Sequence, residues 1–357
     1  MVDIRVKKLA KILTDYSVKI KKDDKVLISA NPEAWVLAKE VYKLCLTKGA
    51  FPYTIYSPGD LNYFFYKHAS LNQLQKKPEI ALFLTNWADK FVRLYSSTNN
   101  RTLSNIDPKR LMITAKVNQP VKKIMLKKPW VLTEFPSFSM AQSAGISLDE
   151  LENIYFKACL QDWNKISKTL KKLKSKLDNA KKIEVIGEKT HLTLSFTNRL
   201  FQAADGKYNM PDGEVFGAPL DFQTKGQIYF DLPSLRSGNI VEGVSLTFKK
   251  GKVIKASAEK GNKYLQAALN TDSGSKRLGE FAIGTNYGIK KPMLNTLFDE
   301  KIGGTIHLAL GSAYPDKEGG GINKSAIHWD LVKSMTGKKS KVLVNNKPIL
   351  INAKLLV

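Results

Sequence analysis

The hydrophobic rhythm of this chain changes near its middle, and that change limits the folds open to it. In the first half, short apolar runs alternate with stretches of helical spacing. Lys25–Ala30 (KVLISA) reads as a buried strand, Pro32–Lys48 has helical periodicity stopped by Gly49, and Phe51–Tyr56 reads as a second strand. The apolar runs Ile80–Trp87 and Leu111–Ala115, the latter after Asp107-Pro108, read as further strands of the same repeat. Repeated strand, helix, strand implies a parallel sheet covered by helices. Neither GxGxxG nor GxxxxGK[ST] follows any of these strands, so the expected Rossmann-like architecture lacks a phosphate-cradling loop.

Leu148–Lys182 reads as one or two charged helices leading into a second domain. Within the dense lysine run Lys165–Lys182, Ile166, Leu170, Leu173 and Leu177 recur at helical spacing, so the lysines form the solvated face of an amphipathic helix. Beyond it the period shortens. Strand-like runs at Ile183–Ile186, Leu192–Phe196, Gln227–Asp231, Ser245–Phe248, Val253–Ser257, Gly304–Leu310 and Ala326–Val332 are separated by turn residues. Lys250-Gly251 and Asn345-Asn346 mark hairpins, and Gly261–Asn270 is the clearest helix. The expected class is α/β: a Rossmann-like α/β domain over 1–165 and an α+β domain rich in antiparallel sheet over 166–357.

Composition narrows the setting. The chain has 357 residues, 43% of them hydrophobic, which is enough to build cores without staples. Cys45 and Cys159 are far apart, with no CxxC spacing, which fits a reducing compartment. Met1–Ile20 lacks the apolar core of a signal peptide, and no run is long enough to span a membrane, so the expected location is cytoplasmic. The net charge of +25 raises nucleic acid as a partner. Almost all of it is lysine spread along the chain, with arginine only at seven positions, whereas phosphate forks and base edges are read mainly by arginine. A basic nucleic-acid-binding protein is therefore the less favoured reading.

The four histidines are His68, His191, His307 and His328, and the last two keep suggestive company. In Ala326-Ile327-His328-Trp329-Asp330 a strand pleat puts His328 and Asp330 on one face and Ile327 and Trp329 on the other. In GTIHLALG, His307 shares its face with the small Thr305 and Ala309. An imidazole and a carboxylate converging on one face suit a borderline-soft divalent metal. For any one of these histidines the bland alternative is a hydrogen-bonded core residue. Glu214, after Pro211-Asp212-Gly213, and Glu280, after Leu278-Gly279, lie among glycines and apolar residues rather than on lysine-rich faces. A turn carboxylate and a helix N-terminal charge are their alternative readings.

The runs NMPDGEVFGAP, LGEFAIGTN, LFDEKIGGTIHLALGSAY and INKSAIHWDLV, in this order, resemble the aminopeptidase T and aminopeptidase S family of metalloaminopeptidases. KVLISANPEAWVLAKEVYKLCLTKGA and the Trp130–Pro136 region extend the resemblance over nearly the whole chain. It implies a dimeric exopeptidase that cleaves peptides with a free N-terminus, using two divalent metal ions, zinc or cobalt first and manganese or magnesium next. At matching positions the metal ligands would be Glu214, Glu280, His307, His328 and Asp330. Glu214, Glu280 and Tyr314 would serve catalysis, Glu280 being favoured to bridge the ions and Tyr314 to hydrogen-bond the oxyanion. Asp212, Asp299 and Glu300 would be supporting or turn residues. Another two-metal peptidase or amidase is the enzymatic alternative. The stretch between Tyr314 and His328 is short for that family, and His191 stands where an aspartate is usual.

Overall fold

The computed structural model of the chain describes residues 2–236, 238–314 and 319–357. The chain forms two compact units, Met1–Leu160 with Gly206–Pro211, and Gln161–Asp205 with Asp212–Val357.

In the first unit, parallel strands lie in the order Phe51–Tyr56, Lys25–Ala30, Lys90–Tyr95, Trp130–Glu134 and the two-residue Asn209–Met210. Val26, Leu27 and Ile28 are buried at the centre of this sheet, as an apolar run flanked by strands on both sides should be. The helix Trp35–Thr47 follows, and Gly49 at φ 71° lets the chain turn back into the sheet. Two expected strands are helices instead. Ile80–Trp87 lies in the helix Glu79–Trp87, and Leu111–Ala115 lies in the helix Pro108–Val117. A short apolar run carries too little periodicity to separate the two states. The flanks decide: the Asp107 carboxylate accepts the Lys109 N–H at 2.9 Å and Pro108 takes the first helical turn, both helix-starting devices. The strands Lys90–Tyr95 and Trp130–Glu134 fill the sheet in their place.

The second unit is antiparallel. Its larger sheet runs Lys252–Ser257, Val244–Lys249, Lys225–Phe230, Thr190–Ser195, Lys182–Gly187, Lys341–Val344, Lys347–Ile351 and Lys354–Leu355. A smaller sheet runs His328–Ser334, Thr305–Gly311, Leu278–Gly284, Glu214–Gly217 and Gln202–Ala204. Both expected hairpins form, with φ of 49° and 73° at Lys250 and Gly251 and of 49° and 68° at Asn345 and Asn346. Two consecutive left-handed residues match the twist of the strands they join.

One core serves both sheets. Val185, Leu192, Phe230 and Leu246 of the larger meet Phe281, Ile283, Ile306, Leu308 and Trp329 of the smaller. The helix Trp163–Asp178 adds Leu170, Leu173 and Leu177, all fully buried, and leaves its lysines outward as their spacing implied. The class is thus mixed α/β, with a parallel sheet and antiparallel sheets. Among the described residues no helix is long and apolar enough to cross a membrane.

Candidate metal centre

The smaller sheet gives one face to the core and the other to a cluster of histidines and carboxylates. Along Thr305–Gly311, Ile306, Leu308 and Leu310 enter the core, so Thr305, His307 and Ala309 point the opposite way. Along His328–Ser334, Trp329 and Leu331 do the same and leave His328 and Asp330 beside them. Register then sets the neighbours: Ala309 lies opposite both Glu280 and Asp330, Ala282 opposite His307, Gly311 opposite His328, and Gly284 opposite Glu214. The small side chains of Ala282 and Ala309 leave room between the polar ones.

Glu280 reaches this face only because the alternation is broken. Leu278 is in the core, so a regular strand would send Glu280 there too. Leu278 pairs with Leu310 but Glu280 pairs with Ala309, so Gly279 is an extra residue, a bulge that turns Glu280 outward before Phe281 and Ile283 resume the core. A Cβ at Gly279 would lie 2.2 Å from the Ser312 carbonyl oxygen. Only glycine fits.

The five residues singled out as ligands come together. His307 Nε2 lies 3.1 Å from Glu280 Oε1, 3.6 Å from Glu214 Oε2 and 4.0 Å from Asp330 Oδ1. His328 Nε2 lies 3.4 Å from Asp330 Oδ1 and 3.7 Å from Glu280 Oε2. Each ring is oriented from behind: His307 Nδ1–H donates to the Glu300 carbonyl at 3.0 Å and His328 Nδ1–H to the Ser312 carbonyl at 2.7 Å. Backbone carbonyls at Nδ1 direct Nε2 toward the centre, the arrangement of metal-binding histidines. Glu214 Oε2, Glu280 Oε2 and Asp330 Oδ1 are buried there with no hydrogen-bond donor. Such orphaned acceptors are costly unless something electropositive joins them. A divalent cation would. The donor atoms of Glu214, Glu280 and His307 lie within 4.8 Å of one another, and so do those of Glu300, His307 and Asp330. The residues present fit a metal.

The electrostatics express the same deficit of positive charge. Burial opposes charge on His307 and His328, yet the carboxylates around them outweigh it and push both imidazoles up to about 10. Burial likewise raises Glu214 and Glu280. Burial would raise Asp330 too, but the positive charges of His328, His307 and Lys301 hold it well below the usual carboxylate range.

Two residues here escaped the sequence reading. Glu300, taken as a turn or supporting residue, joins one of the two ligand groups. Lys301 is fully buried, with Nζ 3.4 Å from Glu214 Oε1 and against Glu300 Oε1. The only signal was their place in the DEKIGG turn just before the His307 strand. Asp299 is the buried last residue of the short helix Thr296–Asp299, its carboxylate accepting from the Met293 and Asn295 amides at 2.6 and 3.1 Å.

Tyr314 stands at the open side of the cluster, 43% exposed, with its ring centroid 5.9 Å from that of His328 and 5.1 Å from that of Phe216. Burial and the nearby carboxylates keep its phenol protonated far above neutral pH. Of the short stretch between Tyr314 and His328, residues 315–318 lie outside the described residues. The rest is clamped. Asn323 Nδ2 donates to the Gly274 and Gly311 carbonyls, and the Asp272 carboxylate accepts from Ser325 Oγ and the Ala326 amide.

Paired imidazoles with anchored Nδ1 atoms, facing orphaned carboxylates on an antiparallel sheet, define a protein built to hold divalent metal. The chain belongs to the thermophilic metalloprotease (M29) family, whose model matches residues 2–347. Aminopeptidase PepS of Streptococcus thermophilus is 27% identical to it, over 92% of this chain and 91% of that protein. Aminopeptidase T of Thermus thermophilus is 36% identical over 34% of this chain and 33% of its own. Among solved structures, wild-type AmpT from Thermus thermophilus superposes with a TM-score of 0.83 at 23% identity, covering 99% of both chains. A 2,5-dihydroxypyridine dioxygenase from Pseudomonas putida superposes with a TM-score of 0.64 at 11% identity, covering 99% of this chain and 97% of that one. These two likenesses establish the fold. Since one of them is an oxygenase, the fold alone does not select the chemistry.

Proposed function

We propose that this chain is an aminopeptidase that releases N-terminal residues from peptides with two divalent ions held by Glu214, Glu280, His307, His328 and Asp330. The observation that carries this reading is the convergence of both Nε2 atoms on buried carboxylate oxygens without hydrogen-bond donors, Glu214 Oε2 at His307 and Asp330 Oδ1 at His328. An excess of carboxylates supports the reading: Glu214, Glu280, Glu300 and Asp330 face the centre with Lys301 as their buried lysine counter-charge, a deficit that divalent cations would relieve. The mixed nitrogen and oxygen donor set suits zinc or cobalt.

Divalent ions held by these residues would supply Lewis acidity and acidify a bound water. The protein's own groups do the rest. Glu280 turns one oxygen toward each imidazole, so both of its oxygens would be available to hold metal. Lys301 holds Glu214 Oε1 and so presents Oε2 to the centre. Tyr314, kept protonated, donates to the oxygen on which negative charge develops. Phe216, packed on Tyr314, forms part of the wall met by the substrate's N-terminal side chain. A cytoplasmic homodimer completes the reading. For that dimer, Phe51, Tyr53 and Tyr56 on the edge strand of the first unit's sheet offer exposed apolar surface.

Hydrolysis of leucine p-nitroanilide, and of one peptide with free and acetylated N-termini, tests the proposal. Activity should vanish on acetylation and on chelation, and return with zinc or cobalt. Equal cleavage of the acetylated peptide, or full activity after exhaustive chelation, overturns it. His328→Ala should also lower the bound metal, read by elemental analysis.

A further inference from the structure

The first unit contains a cavity of about 520 Å³ lined by Ser17, Val18, Lys19, Lys21, Lys90, Leu126, Lys127, Lys128, Pro129, Lys207 and Tyr208. Lysine makes up 50 of the 357 residues but six of these eleven, and neither aspartate nor glutamate lines the cavity. The sequence alone reads the chain's lysine as diffuse. Here it is concave and one-signed, a shape that focuses the field on whatever enters.

The cavity is also built. Lys90, 8% exposed, donates to the Lys19 carbonyl and pairs with Asp24 at 2.9 Å. Lys128 Nζ ties together the Thr85 and Asn86 carbonyls, each at 2.9 Å, and that of Ala88. The Ser17 hydroxyl donates to the Gly206 carbonyl at 2.6 Å, and Lys207 lies over the Tyr16 ring. These bonds fix the wall. The Lys21 amide donates to the Asp24 carboxylate at 2.6 Å, but the ammonium groups of Lys19, Lys21 and Lys127 form no salt bridge among the described residues. Their charges are available to a ligand.

We propose that this cavity binds an oligophosphate, free or carried by a nucleotide. Its volume falls in the range of small-ligand sites, roughly 300–1,000 Å³, and is too small for a duplex. No arginine lines it, and its lysines would act on phosphate as point charges, without the fixed geometry of a guanidinium fork. At the rim, Tyr208 is 53% exposed and packs on Trp130 with ring centroids 5.2 Å apart, which presents a face on which a base can stack.

The test is calorimetric titration of the full chain with tripolyphosphate and, separately, with ATP, at low and at physiological salt. One tripolyphosphate should bind per chain. Lys21→Glu with Lys127→Glu should weaken it by about tenfold or more, leaving hydrolysis of leucine p-nitroanilide unchanged. The same charge change at Lys168 and Lys172, exposed on the helix Trp163–Asp178, should weaken it by less than about threefold. Tighter binding of ATP than of tripolyphosphate assigns the ligand to the nucleotides, and equal binding assigns it to free oligophosphate. Absence of binding at low salt, equal loss in the two double variants, or binding of an oligoribonucleotide without tripolyphosphate overturns the proposal.

Discussion

Lys301 shows how one side chain can set the charge of the centre. Its ammonium is fully buried, which by itself would lower its pKa, but Glu214, Glu300 and Asp212 outweigh the desolvation and raise it above the ordinary 10.5. Removing one partner from such a group strands the others in low dielectric, a loss of about 3–5 kcal/mol. Lys301→Met should destabilise the metal-free protein by about that amount in urea unfolding. Because the pKa is raised, the ammonium's contribution is complete below 10.5 and fades only above it, and because Glu214 and Glu300 are raised by burial, the loss should shrink as falling pH protonates them in the variant. A loss below about 1 kcal/mol, or one that grows as the pH falls, would show that Lys301 does not neutralise these carboxylates.

At the scale of elements, the bulge at Gly279 matters more than the strand that contains it. The Leu278–Gly284 strand places Leu278, Phe281 and Ile283 in the core and Glu280 in the centre, and only an inserted residue reconciles the two faces. In Gly279→Ala the new methyl group would meet the Ser312 and Gly311 carbonyls at 2.2 and 2.4 Å. Relief requires strand displacement, which costs about 1–3 kcal/mol and turns Glu280 away. Thermal unfolding should show that loss, and elemental analysis should show less metal bound. An alanine variant with full metal content would mean that the bulge does not aim Glu280. Such devices explain what the sequence could reveal. The hairpins at Lys250-Gly251 and Asn345-Asn346 and the helix spacing of Leu170, Leu173 and Leu177 are local, and they were legible. So were the faces of His307 and His328, because each strand alternates cleanly. Ile80–Trp87 and Leu111–Ala115 read as strands because short runs this rich in apolar residues carry no clear period. The convergence of Glu214 and Glu280 on the histidines depends on cross-strand register and a bulge, so only the family resemblance brought them in. Lys301, one lysine among 50, carried no signal that distinguished it.

At the scale of the whole molecule, the candidate metal centre lies within one of the two units. Glu214, Glu280, His307, His328 and Asp330 come from four adjacent strands of one sheet, and none belongs to the first unit. Metal that binds the folded centre and not the unfolded chain stabilises by about 4 kcal/mol when its concentration is roughly a thousand times Kd. That energy resists only those openings that separate the ligands. Hydrogen exchange should therefore report metal unevenly. On chelation, amides of the strands Leu278–Gly284, Thr305–Gly311 and His328–Ser334 should exchange faster, by up to about a thousandfold, while those of Lys25–Ala30 and Lys90–Tyr95 keep their rates. Mass spectrometry of peptic peptides from metal-loaded and chelated protein resolves these segments. Equal acceleration in both units would mean that metal holds the whole chain together, and no acceleration in the three ligand strands would mean that the carboxylate and histidine cluster does not hold it.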